Sequence, residues 1–542
     1  MNRKCIFVMG LILLVHCNSL LFAAGTANNI ELPDVITIID GDSIKAGLEA
    51  LSETENPIVM EKGSGTVVPE FVEEEEKAEN TEPEFEAQAA EKAENPAKPV
   101  YGNGLVGGGY PAFFKGDFSL SAVDEINPFK LAFSHDSALG YAGHSLTDGY
   151  NDRKTQFSVS KNFCREKYEW GFGGSYQSVS NGLQNHIEGI SSLNQDVYAG
   201  KADFVYKTQN GIKLGVDGGA NFYNRYADVT KGDFPVVSFL TLVPQVFIRW
   251  EDNGISAGFT ANYTFGRDYA KTFEELLHRG KFKLDFSWQN DYVKLYAAAA
   301  AIVGNHINGN SVVVPFAVGV NAAVPVSFST RALNISAEGG IDSKLPKLYE
   351  VENLYRFTIS SQLAQEQSDW YGKLSAFIPF GQNFTGGIAF EYRQTAFDNG
   401  VFTPVYLPVK STCYDYLTID TKQFNTVLSL AYKLNCFTFQ GAWEAYWLDV
   451  PVLKNENTVC VHLIYNEEQK KWGADFSVCL LLNEEIETPE VNLEAYVKMT
   501  SAVDAVLQVN DAVKLFKAEE RIYAGSYLAR GGSAALLLKF AF

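Results

Sequence analysis

Beyond residue 100 the chain alternates. Phe282, Leu284, Phe286 and Trp288 occupy one parity of a short segment, and Lys281, Lys283, Asp285 and Ser287 occupy the other. The same period of two recurs at Phe204 and Tyr206 and at Leu214 and Val216. A period of two puts successive side chains on opposite faces of a β-strand, so each segment has one face for an apolar environment and one for water. Asn210-Gly211, Asn253-Gly254 and Asn308-Gly309 punctuate the pattern as turns. Residues 101–542 contain between 18 and 22 such segments of about ten residues. Lys271 to Leu277 is the best helical candidate, short and placed where an external loop belongs.

Alternation alone fits a soluble sandwich as well as a membrane barrel, and three further features favour the barrel. Aromatic residues fall near strand ends, at Trp170, Trp250, Tyr292, Trp370, Tyr371, Trp443, Tyr446 and Trp447, where amphipathic rings suit the headgroup level. A soluble sheet of this many strands needs packing layers and crossover helices, and the pattern supplies neither. The chain also ends on an alternating strand that places Leu536, Leu538, Phe540 and Phe542 on one face. A terminal aromatic on such a strand resembles the closing-strand signal of outer-membrane barrels, which implies barrel-assembly machinery as a partner. The expected fold is therefore all-β: a large antiparallel transmembrane barrel of about 18 to 22 strands over residues 101–542.

The preceding residues read differently. Arg3 and Lys4 lead into an apolar run to Ala24, followed by small residues, which is the form of a secretory signal over residues 1–27. Cys17 would serve a lipoprotein, but bulky His16 precedes it and apolar residues continue past it. Beyond the signal no apolar stretch is long enough for a transmembrane helix. Residues 28–68 read as an extended periplasmic segment and residues 69–100 as an acidic disordered linker. Of the net charge of -21, residues 28–100 carry -14 and residues 101–542 carry -9. A tail of that length samples roughly 45 Å. No basic patch suited to nucleic acid is present. Gly 45, Tyr 27 and Phe 38 against Met 4 agree with Gly-punctuated aromatic strands.

Chemical signatures are sparse. Gly-x-Ser-x-Gly, His-Glu-x-x-His and phosphate-binding glycine loops are missing, so the chain is not expected to be an enzyme, and no cofactor is implied. Ser134-His135-Asp136-Ser137, with His144-Ser145 and Asp148, contains the residue types of a nucleophile, base and orienter. A metal site at His135 and His144 is a second reading, and a hydrogen-bonded lumen or turn is the simplest. Lys281, Lys283, Asp285, Glu391 and Arg393 sit on water-facing parities, where they line a passage or merely the barrel interior. Five cysteines lie beyond the signal, and Cys460 and Cys479 can bridge if the registers of their strands match.

The last forty residues, Val506-Leu507-Gln508-Val509-Asn510-Asp511-Ala512-Val513-Lys514, then Tyr523, then Arg530-Gly531-Gly532, resemble the C-terminal end of a TonB-dependent receptor. Pro346-Lys347-Leu348-Tyr349-Glu350 resembles a segment often found in the middle of those barrels. The resemblance departs at the front, since residues 28–100 are too few for the family's globular plug. Ile30 to Ile39 loosely resembles the family's energy-coupling box, which implies that Leu32, Pro33, Asp34 and Val35 meet a periplasmic protein. Such an exposed β-prone run adds readily to a sheet edge.

The expected protein is an outer-membrane channel or transporter-type barrel for small solutes in a diderm bacterium, set in outer-membrane lipid and lacking a full plug. A barrel that wide conducts unless loops or another chain fill it. The alternative is a surface-exposed structural or interaction barrel with little transport.

Overall fold

In the computed structural model the described residues are 100–541, except 123–126, 142, 232, 309–311, 327–331, 355–356, 382, 406–414, 452–453, 468–470, 483–487, 518–521 and 525–526. Leu32, Pro33, Asp34, Val35 and Phe542 lie outside them. Twenty-two antiparallel strands form a closed wall. The first, Val100–Tyr110, pairs with the second, Phe113–Ala122, and with the last, Ser533–Ala541, in a register running from Asn103↔Ala541 to Tyr110↔Ala534. Closure leaves no unpaired sheet edge, as a wall facing lipid requires. No described helix is long and apolar enough to cross a membrane.

Strand pairing turns the alternation into horizontal bands. Phe118, Phe133, Phe157, Tyr176, Tyr198 and Phe222 are register partners on six successive strands and form one outward aromatic rung. Tyr206, Leu214, Ile248 and Phe259 form another near the opposite end. Tyr198 and Tyr206 are eight residues apart on Ile190–Lys207, roughly 27 Å along a strand. With the usual barrel tilt that spans roughly 20 Å of height, close to the ~25 Å apolar band of outer-membrane barrels. Beyond the first rung the outward residues become polar: His135, Thr155, Ser178, Asp196 and Asn224 follow one another across five strands.

The two ends of the barrel differ. The end that holds Val100 and Ala541 is joined by tight turns at 165–167, 208–211, 253–254, 290–292 and 435–436. At Asn253 (φ 48°) and Gly254 (φ 77°) the backbone is left-handed at both central residues, the hairpin geometry that Asn-Gly favours. The other end carries the long connections 140–150, 183–189, 269–276, 345–366, 396–421 and 511–532. By the usual asymmetry of such barrels the tight-turn end is periplasmic and the long-loop end faces outward.

The structure corrects several local expectations. Residues 269–276 are not helical and Leu277 opens the strand Leu277–Gln289; among the described residues the α-helices are Leu348–Leu354 and Ala512–Lys517, both in outer connections. The Pro346 to Glu350 segment thus leads into a helix, since Leu348, Tyr349 and Glu350 start it. Asn308 belongs to an outer loop, where its amide donates to Asp398 O at 2.9 Å, and not to a hairpin turn. Tyr371 and Tyr446 face inward, donating to Glu338 and, at 3.0 Å, to Glu444, whereas Trp170, Trp250 and Trp370 face outward. Cys460 and Cys479 are directly opposed and form a disulfide.

Candidate functional site: the lumen wall and the outer mouth

The inward parity of the strands is a belt of mixed charge. Lys281, Lys283 and Asp285 point inward opposite Phe282, Leu284 and Phe286, which are exposed on the outer wall. Arg249 reaches Asp285 at 3.3 Å from the next strand but one. Farther round, Glu391 accepts from Arg393 Nε at 2.6 Å and lies 3.5 Å from Lys373, and Arg393 also pairs with Asp369 at 3.4 Å. Arg249 with Asp285, Lys373 with Glu391 and Arg393 with Asp369 are pairs of opposite sign, whereas Lys283 Nζ is buried with no hydrogen-bond partner, so the wall alternates in sign without being neutral at every position.

Above the belt three loops converge. In wall order, 183–189 joins strands five and six, 345–366 joins thirteen and fourteen, and 511–532 joins twenty-one and twenty-two, spaced around the circumference at about a third of it each. Elements so placed can touch one another only across the bore. They do touch: the Phe357 ring stacks on Tyr527 with centroids 3.7 Å apart, the His186 ring meets Tyr527 edge-on at 4.6 Å, and Leu183 and Leu193 complete a cluster with no more than 1% exposure. A fourth loop joins in, since Phe402 and Tyr416 pack with Val351 and Ala364, and the Tyr416 hydroxyl donates to Val351 O. Full burial of apolar side chains at a solvent-facing mouth stabilises each contact by about 1.5–3 kcal/mol per residue.

Polar anchors fix this cap to the wall. Glu352, on the helix Leu348–Leu354, accepts hydrogen bonds from the Tyr223 hydroxyl, from Arg225 Nη1 and, at 2.9 Å, from the Ser360 amide. Tyr223 and Arg225 sit on inward positions of Ile212–Val229, with Tyr223 six residues below Val229, roughly 20 Å down the strand. The helix therefore lies inside the mouth and not above it. Burial pushes the Glu352 carboxyl above its ordinary pKa, and Arg225, Tyr223 and Ser360 oppose that rise. At the loop's exit Glu366 receives both Nε and Nη2 of Arg279, at 2.8 and 2.7 Å. The loop 511–532 is held by Arg530, which pairs with Asp152 and, at 2.6 Å, with Asp136, and by Leu528, whose backbone exchanges hydrogen bonds of 2.8 and 2.9 Å with the Gln184 side chain.

The suspected nucleophile cluster is divided by the wall. His135 and Ser137 face outward, on the same parity as Phe133, while Ser134 and Asp136 face the lumen. His135 Nε2 lies 3.3 Å from Ser137 Oγ, but its Nδ1 is 2.8 Å from Thr155 Oγ1, so no carboxylate orients the ring. Ser145 Oγ donates to Asp148 at 2.7 Å in a helix cap, and the His144 ring stacks on Tyr150 at 4.1 Å. His135 and Ser137 instead line a polar groove of about 600 Å³ on the outer wall, with Ser180, Asn194 and Asp228. Among the described residues no three histidines, cysteines or carboxylates cluster as a metal site. Leu536 and Leu538 are exposed on the outer wall at 65% and 45%, and Phe540 shares their parity. Sequence reading missed Arg225, Glu352, Phe357 and Tyr527; nothing local marks them, since each acts through a partner more than 100 residues away.

A closed wall of this size has counterparts among solved structures. Residues of this chain superpose on the copper transporter OprC over 82% of this chain and 80% of that one, with a TM-score of 0.61 at 11% identity. The two chains share a barrel fold. The FrpB iron transporter from Neisseria meningitidis matches with a TM-score of 0.60 at 9% identity over 82% and 83% of the two chains. The siderophore receptor PirA from Acinetobacter baumannii matches with a TM-score of 0.60 at 7% identity over 83% and 81%. No protein family and no characterised protein matches by sequence.

Proposed function

We propose that this chain is an outer-membrane transporter for small solutes, gated at its outer mouth by its own loops and lacking a full plug before the barrel. The meeting of three loops across the bore at Phe357 and Tyr527, locked to the wall through Glu352 and Arg225, carries the proposal. A resting porin needs an open mouth; a cap anchored by a buried ion pair instead suits a barrel that opens on demand. The similar folds of barrels named as copper and iron transporters and siderophore receptors support transport as the task.

The same proposal gives roles to the chain's ends. Residues 28–68 extend into the periplasm, with Leu32, Pro33, Asp34 and Val35 as the strand offered to a periplasmic partner, and residues 69–100 act as a spacer. Leu536, Leu538, Phe540 and Phe542 form the signal for barrel assembly, and removing Phe542 is expected to lower the yield of folded barrel in the outer membrane at least several-fold.

The deciding experiment is conductance in planar bilayers of residues 28–542, of residues 100–542, and of each with 347–364 replaced by a short Gly-Ser linker. Silence of the intact loop and large steps after its removal are expected with and without the tail. Large steps from the intact protein would make it an open porin. Silence of all four would leave the interaction-barrel reading, which the polar groove at His135 and Asn194 favours.

A further inference from the structure

Arg225 and Gln195 are register partners on adjacent strands, and both point into the mouth beneath the helix Leu348–Leu354. Arg225 is 0% exposed and Gln195 1%. A guanidinium has five donors in a planar fork, and its strongest complement is an oxyanion that takes two of them side by side. Glu352 does not complement it in that way. Arg225 Nη1 alone reaches the carboxylate and also donates to Ser360 O at 3.3 Å, while the second Glu352 oxygen is taken by the Tyr223 hydroxyl. Nε and Nη2 of Arg225, and both amide atoms of Gln195, are buried with no partner.

Burying unpaired polar groups is costly, about 1–3 kcal/mol for each and more where the group is charged. Four such atoms at one spot, under a loop that seals the mouth, mean that the closed state fills this site incompletely. Glu352 is one carboxylate held in front of an arginine built for two-point recognition. It has the chemistry of a ligand and belongs to the lid.

We propose that Arg225, Gln195 and Tyr223 form the recognition site for an oxyanion group of the transported solute, a carboxylate or an equally planar oxyanion, and that Glu352 occupies this site while the solute is absent. This rests on the transporter reading and adds the solute's chemical class to it. The arriving oxyanion takes Nε and Nη2 of Arg225 as a fork, Gln195 donates to an adjacent oxygen, and Tyr223 turns its hydroxyl from Glu352 to the newcomer. Glu352 is released to water, and with it the helix it anchors. In the wild type Glu352 fills the site while the mouth is shut, so the solute binds only the open mouth and its binding free energy goes into opening; once that carboxylate is removed, a small anion fits under the closed helix in its place. A solute without an oxyanion leaves Glu352 in place and the mouth shut.

The test replaces the built-in carboxylate and supplies one from solution. Full-length Glu352→Ala protein is recorded in planar bilayers with millimolar acetate on the outer side, against chloride at equal ionic strength. Glu352→Ala is expected to open, and acetate, by neutralising Arg225, is expected to cut its open probability at least tenfold. The double variant Glu352→Ala/Arg225→Gln is expected to ignore acetate. An unchanged open probability in the single variant, or an equal response in the double variant, overturns the proposal. Should Glu352→Ala fail to refold, Glu352→Ser, which also leaves the carboxylate's space empty, takes its place under the same criteria. Limited proteolysis within 345–366 gives a readout that does not depend on conduction. Acetate is expected to protect the loop in Glu352→Ala but not in the double variant, even if the transporter reading fails because the loop-replaced barrel is silent. Absence of that protection also overturns the anion site.

Discussion

The two ends of this barrel are built by different physics. At the inner end, neighbouring strands meet through turns such as Asn253-Gly254, whose geometry is set by two residues and whose hydrogen bonds, like Gln289 N–H to Gly254 O at 2.7 Å, join adjacent strands. At the outer end, Arg225 and Glu352 are 127 residues apart, Leu528 and Gln184 are 344 apart, and Arg530 and Asp152 are 378 apart. Local turns give an end that hardly needs the rest of the protein. Long-range contacts give an end that exists only once the wall has closed. The gating proposed above is placed where stability is non-local and divisible from the scaffold.

That contrast can be broken most forcefully at the centre of the cap. The double variant Phe357→Ala/Tyr527→Ala removes both faces of a buried ring stack, a loss of about 3–5 kcal/mol for each truncated ring. It is expected to convert a silent barrel into one with large, long-lived conductance steps while the wall keeps its folded, heat-modifiable migration on a gel. A silent variant would mean that other contacts close the bore.

Next comes the ion pair. Arg225→Ala leaves the fully buried Glu352 without its cation, and breaking a buried pair from one side costs about 3–5 kcal/mol. Frequent openings are expected, together with faster protease cleavage within 345–366. Restoring a cation with Arg225→Lys is expected to recover closure only in part, because an ammonium lacks the planar fork.

A smaller effect should follow pH. The Glu352 carboxyl titrates above the ordinary glutamate value when the cap is closed, because burial penalises its charge, and returns towards the ordinary value when the cap opens into water. The closed state therefore binds the proton at higher pH than the open state. Falling pH through that interval favours closure, and rising pH above it removes the advantage. Open probability of the wild type is expected to fall on acidification from neutrality towards the ordinary glutamate range, and Glu352→Gln is expected to lose this dependence.

The smallest effect is expected at the inner end. Asn253→Ala with Gly254→Ala forces two ordinary residues into left-handed backbone, at about 1–2 kcal/mol per residue. Urea unfolding of the refolded barrel should register that loss while conductance stays at the wild-type level. A change in gating from this pair would erase the division between the two ends.

Individual residues show how far the sequence could be read. The parity of Lys281 to Trp288 was legible because a strand has a fixed period of two, and the wall faces follow from it. Parity did not reveal which face of His135 would be wet, because above the aromatic rung both faces are; its neighbours Phe133 and Phe157 place it on the outer wall. Tyr371 and Tyr446 were misplaced for a related reason: a tyrosine suits a lipid interface and also a lumen in which Glu338 or Glu444 can accept its hydroxyl. The Cys460–Cys479 bridge depended on register, which a single strand does not disclose.

By itself, then, the sequence determined the strands, their two faces, the apolar closing strand and the inner turns, because alternation and turn chemistry act over two to ten residues. Tertiary structure decided the strand number, the disulfide, the outward placing of His135 and above all the cap. Glu352 and Phe357 carry no local mark of their role. Their partners lie elsewhere on the circumference of a closed wall, and only closure of that wall brings Arg225, Gln195 and Tyr527 to them.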